Sequence, residues 1–416
     1  MHKGGCHYER FKGTEAKKEF LKGVLSEGNG VVRLAPCWVP RAFLVPGRRL
    51  KLAPKDLYAF GAHRGGIDER WLASTTKADN GPETIEDEGL SYIVGQTTSG
   101  IKKILLKEAI ELMGNEFLGS EVISKYGGWK LLSKFFDNMG PIPHHMHQMD
   151  IHAKKVGREG KPESYYFPVQ LNIRLNNFPY TFFGLEPGTT KEDIKRCLAR
   201  WEEGDNGILR YSKAYVLTPR TGWDLPAGIL HAPGSLVTYE LQWASDVFAI
   251  FQSMVEGRYV PRELLTKDVP EENYYDIDYL VDMLDWEKNV DPYFVKNRFR
   301  TPIPVSEEKE GFNENWIVYG NDLFSAKELS VSPGASVTIK DSAAYGMVVL
   351  QGHGKIEGLS MESPTMIKFG QLTDDEFFVT YQRAKEGVTI RNDSSEEELV
   401  ILKHFGPGNI EAPIIE

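Results

Sequence analysis

Apolar positions follow two periods in this chain, and each period marks a different kind of element. Spacing at i, i+3, i+4 and i+7 puts side chains on one helix face. It is clearest at Ile194, Cys197, Leu198 and Trp201. Thr189-Thr190-Lys191-Glu192-Asp193 precedes them as a capping start, so a helix is predicted over about 190–203. Similar spacing predicts helices at Phe20, Leu21, Val24 and Leu25, at Ile101, Ile104, Leu105 and Leu112, and at Ile277, Leu280, Val281 and Leu284. Elsewhere, short stretches rich in Val, Ile, Tyr and Phe recur between glycines and prolines, as in Ser235–Gln242, Val247–Phe251, Ser336–Ile339 and Met347–Leu350. Such regular short strands build sandwiches and barrels. The expected fold class is mainly β, with several decorating α-helices.

At 416 residues the chain has enough length for two packing units, each with its own core. Thr301-Pro302-Ile303-Pro304, within Asn297–Val305, reads as a connector. The expected units are therefore 1–300 and 301–416, the second almost free of helix signals. Glu396-Glu397-Glu398 is expected to be a solvated turn.

Composition narrows the function classes. The chain carries 49 Lys+Arg against 59 Asp+Glu, a net charge of -10, which argues against nucleic acid or an anionic membrane as main partner. The cysteines Cys6, Cys37 and Cys197 stand far apart, with no CxxC pair to suggest a disulfide framework or a thiolate zinc site. No run approaches the roughly 18 to 20 apolar residues of a membrane span, and Met1–Tyr8 lacks the apolar core of a signal peptide. A cytoplasmic protein is expected, its oligomeric state left open.

His144, His145, His147 and His152 place four of the ten histidines within nine residues, a density that metal binding demands more often than chance supplies. If Pro143–Met149 is extended, His145 and His147 share one face and His144 takes the other. Downstream, Glu163 follows the turn at Gly160-Lys161-Pro162, and His231 follows a Pro226-Ala227-Gly228 turn.

The order HxH, Glu, PxGxxH resembles the two metal motifs of the cupin superfamily, whose three histidines and one glutamate bind a divalent ion. The gap from His147 to Glu163 implies an enlarged hairpin. Over about 88–255 the chain is similar to class I mannose-6-phosphate isomerases. The matching segments are Gly128–Asp137, Lys161-Pro162-Glu163, Gly188–Glu192, Pro226–Ala232, and Glu240-Leu241-Gln242 with Ser245-Asp246-Val247. The resemblance implies a bicupin of two jelly-roll β-barrels, the first binding metal and the second a degenerate barrel without it. His353 and His404 in the second unit make no ligand set. Two departures matter. His145 stands where the family usually has glutamine, and Ile250 stands where it usually has an arginine that handles substrate. The second departure points to an unphosphorylated or differently decorated sugar, because phosphate monoesters are held by Arg or Lys forks.

The resemblance thus implies one divalent ion, zinc first with manganese or iron as rivals, held by His145, His147, Glu163 and His231. It implies a small carbohydrate substrate and an aldose–ketose exchange through an enediolate-like species. Lys161 is the expected cation at the reacting end, and Asp224, Glu240 and Asp246 are the acid–base candidates. His144, His152, Trp38, Trp71 and Trp223 are expected to be structural. An iron or manganese oxygenase and a non-catalytic sugar-binding protein are the competing readings.

Overall fold

The structure, a computed structural model, describes residues 11, 13–42, 44–98, 100–306 and 310–415, so Cys6 lies outside the described residues. Four antiparallel sheets dominate it, and none of them closes on itself. The first joins Ser212–Val216, Tyr180–Leu185, His231–Ala232, His145–Met146 and Ala249–Ile250. The second joins Phe299–Arg300, Gly222–Leu225, Glu163–Tyr166, Thr238–Trp243, Leu131–Phe136, Gly66–Leu72 and Cys37–Arg41. The third runs through nine strands from Ile303–Pro304 to Gly100–Leu105, and the fourth is built on Ser336–Ile339, Val388–Asn392, His353–Ile356 and Leu359–Glu362.

Shared cores stack the sheets in that order. Phe136 and Tyr165 of the second sheet pack with Phe183 of the first, Phe135 and Tyr239 of the second with Val348 and Phe378 of the third, and Met347 and Ile401 of the third with Val337 and Ile390 of the fourth. Alternation gives each strand of the second sheet two buried faces. Arg70, Tyr166 and Tyr239 point to the third sheet. There Arg70 reaches Asp375 at 2.7 Å and Glu376 at 3.0 Å, Tyr166 donates to Glu328 at 2.8 Å, and the Tyr239 hydroxyl meets Nδ1 of His404 at 2.9 Å. Glu69, Lys134, Glu163 and Glu240, one step out of phase, point to the first sheet.

The third sheet unites strands from both sides of residue 300. Val31–Ala35 pairs with Glu376–Val379, so the units 1–300 and 301–416 share one sheet. The expected connector carries two short strands: Phe299–Arg300 pairs with Gly222-Trp223 at one edge of the second sheet, and Ile303–Pro304 pairs with Asn315-Trp316 at one edge of the third. Glu396-Glu397-Glu398 is an exposed turn.

Three of the expected helices form where the periodicity put them. Lys191–Ala199 starts in a reciprocal capping box of Thr190 and Asp193 and buries Ile194, Cys197 and Leu198. Thr14–Glu27 buries Leu21 and Val24, and Ile277–Asp282 buries Leu280 and Val281. The fourth expectation is corrected in part: Gly100–Leu105 is a strand hairpinned to Tyr92–Thr97, and only Leu106–Leu118 is helical. Ile101, Ile104 and Leu105 fit the helical spacing, but backbone pairing with the preceding strand overrides it and leaves Ile101 exposed.

Burial makes His404 a pH probe of the packing between the second and third sheets. Its imidazole is pushed down to about 3 by desolvation. Protons then bind the unfolded chain below about pH 6.5 but not the folded one, so this contribution is complete above that pH and lost as pH falls toward 3. Parent stability minus that of His404→Gln, a variant neutral at every pH, is expected to be about 2 kcal/mol smaller at pH 5 than at pH 7. Urea unfolding at the two pH values measures it; an unchanged difference would show that His404 is not buried as a neutral ring.

Candidate metal centre and its pocket

The first sheet sets three imidazoles side by side. His145 pairs across strands with His231 on one side and Ile250 on the other, and His147 follows two residues on. Each ring is oriented alike: Nδ1–H donates to a backbone carbonyl, of Pro143 for His145 (2.7 Å), Val247 for His147 (2.7 Å) and Ile229 for His231 (2.8 Å). That tautomer puts the lone pair of each ring on Nε2, where in His147 it accepts from Lys161 Nζ at 3.0 Å. One ring nitrogen of each lies within 4.8 Å of the other two. Burial, reinforced by the neighbouring imidazoles, holds His145 well below its ordinary value; burial and Lys161 bring His147 down to about 4. Both are therefore neutral, as ligands must be.

Glu163 meets this cluster from the second sheet. Its Oε2 lies 3.0 Å from His147 Nε2, its Oε1 lies 3.0 Å from His231 Nε2, and the Tyr165 hydroxyl donates to Oε1 at 2.5 Å. Burial opposes its ionisation, but His147, Lys161 and His231 outweigh it and hold the carboxyl well below the usual range. His231 Nε2 is buried with no hydrogen-bond partner, and buried Glu163 Oε2 is held by the Lys161 ammonium at 3.3 Å. Lone pairs converging from imidazoles and a carboxylate fit a divalent cation, and the three-histidine cluster supports one.

From Glu163 a line of buried charges of alternating sign runs along the pocket wall. Lys161 Nζ is 3.0 Å from His147 Nε2, 3.3 Å from Glu163 and 3.6 Å from Glu240. Lys134 is 3.6 Å from Glu240 and 3.0 Å from Glu69, and Arg41 joins Glu69 at 3.1 Å to Asp246 at 3.3 Å. The expected enlarged hairpin does not form, because His145–Met146 and Glu163–Tyr166 pair in different sheets; the connection between them carries the helical turn Asp150–Ala153, closed where Asp150 Oδ1 accepts from the Gly160 amide at 2.7 Å. This closure directs Lys161 inward, to 4 % exposure.

The acid–base candidates separate sharply. Burial pushes the Glu240 carboxyl up to about 7, with Lys134 pulling against it and Glu163 adding to it, and Oε1 has no hydrogen-bond partner. For Asp246, burial is outweighed by Arg41, Lys161 and Lys267, which hold it below the usual carboxylate range. Asp224 is a correction: it pairs opposite Ser164, faces away from the imidazoles, and is held by Arg298 at 3.0 Å. His144 turns to the far side, against Ser212. His152 packs against Tyr279, and Trp38, Trp71 and Trp223 are core. His353 is exposed, away from any such cluster.

No protein-family model and no curated protein sequence matches the chain. Solved structures do. Mannose 6-phosphate isomerase of Bacillus subtilis superposes with a TM-score of 0.58 at 18% identity, over 90% of this chain and 99% of that one. The fold is that of mannose 6-phosphate isomerases. A mutant phosphomannose isomerase of Salmonella typhimurium gives 0.57 at 12% identity, over 90% and 99% of the two chains. A zinc-bound mannose 6-phosphate isomerase gives 0.57 at 14% identity, over 91% and 100%.

Arg41, Glu69 and Lys134 line the pocket of this mannose 6-phosphate isomerase fold without having been singled out in the sequence. The available signal was a charged residue in phase with buried apolar ones, as Lys134 is with Phe136.

Proposed function

We propose that the chain is a metal-dependent aldose–ketose isomerase acting on a sugar, with His145, His147, Glu163 and His231 holding one divalent ion, zinc first among the candidates. The first and second sheets form its metal-bearing jelly roll, and the third and fourth a metal-free partner barrel, in the manner of a bicupin. When bound, the ion supplies a Lewis acid that polarises the sugar carbonyl. Glu240 takes the proton from the carbon beside that carbonyl and returns it to the carbon that carried the carbonyl, while the hydroxyl proton passes between the two sugar oxygens. Lys161 meets the negative charge that accumulates on the substrate oxygens meanwhile. Tyr165 holds Glu163 by its hydroxyl, and Asp246 holds Arg41 at the pocket wall.

The observation that carries this reading is Glu240, a buried carboxyl with an affinity for protons near neutrality, whose Oε1 makes no hydrogen bond and lies between two lysine ammoniums 3.6 Å away. A screen of aldoses, ketoses and their phosphates after loading with zinc, manganese or iron tests it. Oxygen consumption without isomerisation would instead support the oxygenase reading.

Metal content gives an independent check. His231→Ala is expected to weaken zinc binding by more than about 100-fold, beyond the 10- to 100-fold usual for losing an outer partner of a ligand. His144→Gln is expected to keep its zinc. Elemental analysis after dialysis reads both, and full zinc occupancy in His231→Ala would exclude His231 as a ligand.

A further inference from the structure

The pocket that reaches the imidazoles encloses about 60 Å³. That is well below the roughly 300–1,000 Å³ of sites that take whole small molecules, so the pocket admits the carbonyl end of an open-chain sugar but no second ring. Arg41 and Phe248 also line a second, adjoining cleft of about 1260 Å³. This exceeds the roughly 300–1,000 Å³ of sites for single small molecules. Ample space beside the reacting end therefore lies outside the pocket.

Its walls indicate what it takes. Tyr259 and Tyr275 line it at 72% and 85% exposure, large for aromatic side chains. The Arg262 guanidinium lies over the Tyr275 ring, 5.0 Å from its centroid, and donates to the Tyr274 carbonyl at 3.1 Å, which holds that face in place. Other cations of the cleft are matched by carboxylates: Lys267 with Asp79 at 3.0 Å, Arg64 with Glu88 at 2.8 Å, and Arg41 with Asp246 at 3.3 Å. The Arg262 guanidinium is engaged by the Tyr274 carbonyl and the Tyr275 ring, and the presented aromatic faces suit the C–H faces of a neutral sugar ring.

Resting on the isomerase reading for the reacting end, we propose that this cleft is a subsite for a further neutral glycosyl unit. The substrate is then a reducing oligosaccharide whose open-chain terminal unit enters the pocket while the next ring stacks on Tyr259 or Tyr275.

Titration calorimetry of the zinc-loaded protein with cellobiose, maltose and mannobiose, against glucose, mannose and mannose 6-phosphate, tests this. At least one disaccharide is expected to bind about 10-fold or more tightly than every monosaccharide, and the double variant Tyr259→Ala/Tyr275→Ala to bring it down to the monosaccharide level. Zinc content and thermal melting confirm that the variant is folded. The proposal is overturned if no disaccharide outbinds the monosaccharides, if mannose 6-phosphate binds tightest, or if the variant keeps the disaccharide preference. A preferred disaccharide that is bound but never isomerised would support the subsite and remove the isomerase reading instead.

Discussion

Glu240→Gln is expected to lower kcat for sugar isomerisation by about 100- to 10,000-fold, the usual contribution of a positioned acid–base group. The amide keeps the size and the buried position but cannot carry the proton between carbons. Lys134 keeps Glu69 and Lys161 keeps Glu163, so neither ammonium is stranded. The pH profile separates this role from a structural one. As a base Glu240 must be ionised, so kcat/KM of the parent rises with pH through a midpoint at or below about 7, because a bound dication adds positive charge nearby. The variant is expected to lose that limb. Isomerisation within 10-fold of the parent and with the same limb would assign the proton transfer elsewhere.

Lys161→Met is expected to lower the rate by about 100- to 1,000-fold with zinc content nearly unchanged, the typical cost of removing one preorganised group that meets transition-state charge. The ammonium lies at the junction of His147, Glu163 and Glu240, each within 3.6 Å, so it faces the reacting end. Methionine fills similar space without charge. The burden falls on kcat, because the negative charge exists only during reaction. A variant that isomerises at the parent rate would reduce Lys161 to a neutraliser of Glu163.

Local chemistry was legible in the linear pattern where one segment supplies both signal and partner. The capping box of Thr190 and Asp193 closes within four residues, and the HxH of His145 and His147 needs only strand alternation to share a face. Ile101–Leu105 shows the limit of that reading, because a helical spacing over five residues is overridden when a neighbouring strand claims them.

What the chain determined alone is thus its β-rich texture, three of its helices and the histidine pair. Tertiary structure decided which charges share the pocket. Glu240 and Asp224 both lie on strands beside Glu163–Tyr166, yet Glu240 pairs opposite Tyr165 and faces the imidazoles, while Asp224 pairs opposite Ser164 and faces away. A single step of register separates an acid–base group from a salt-bridged structural one. Arg41, Glu69 and Lys134 join Glu240 only because sheet pairing brings together strands from distant parts of the chain. Periodicity says that a strand has two faces; only the packing of sheet on sheet says which face meets the metal ligands.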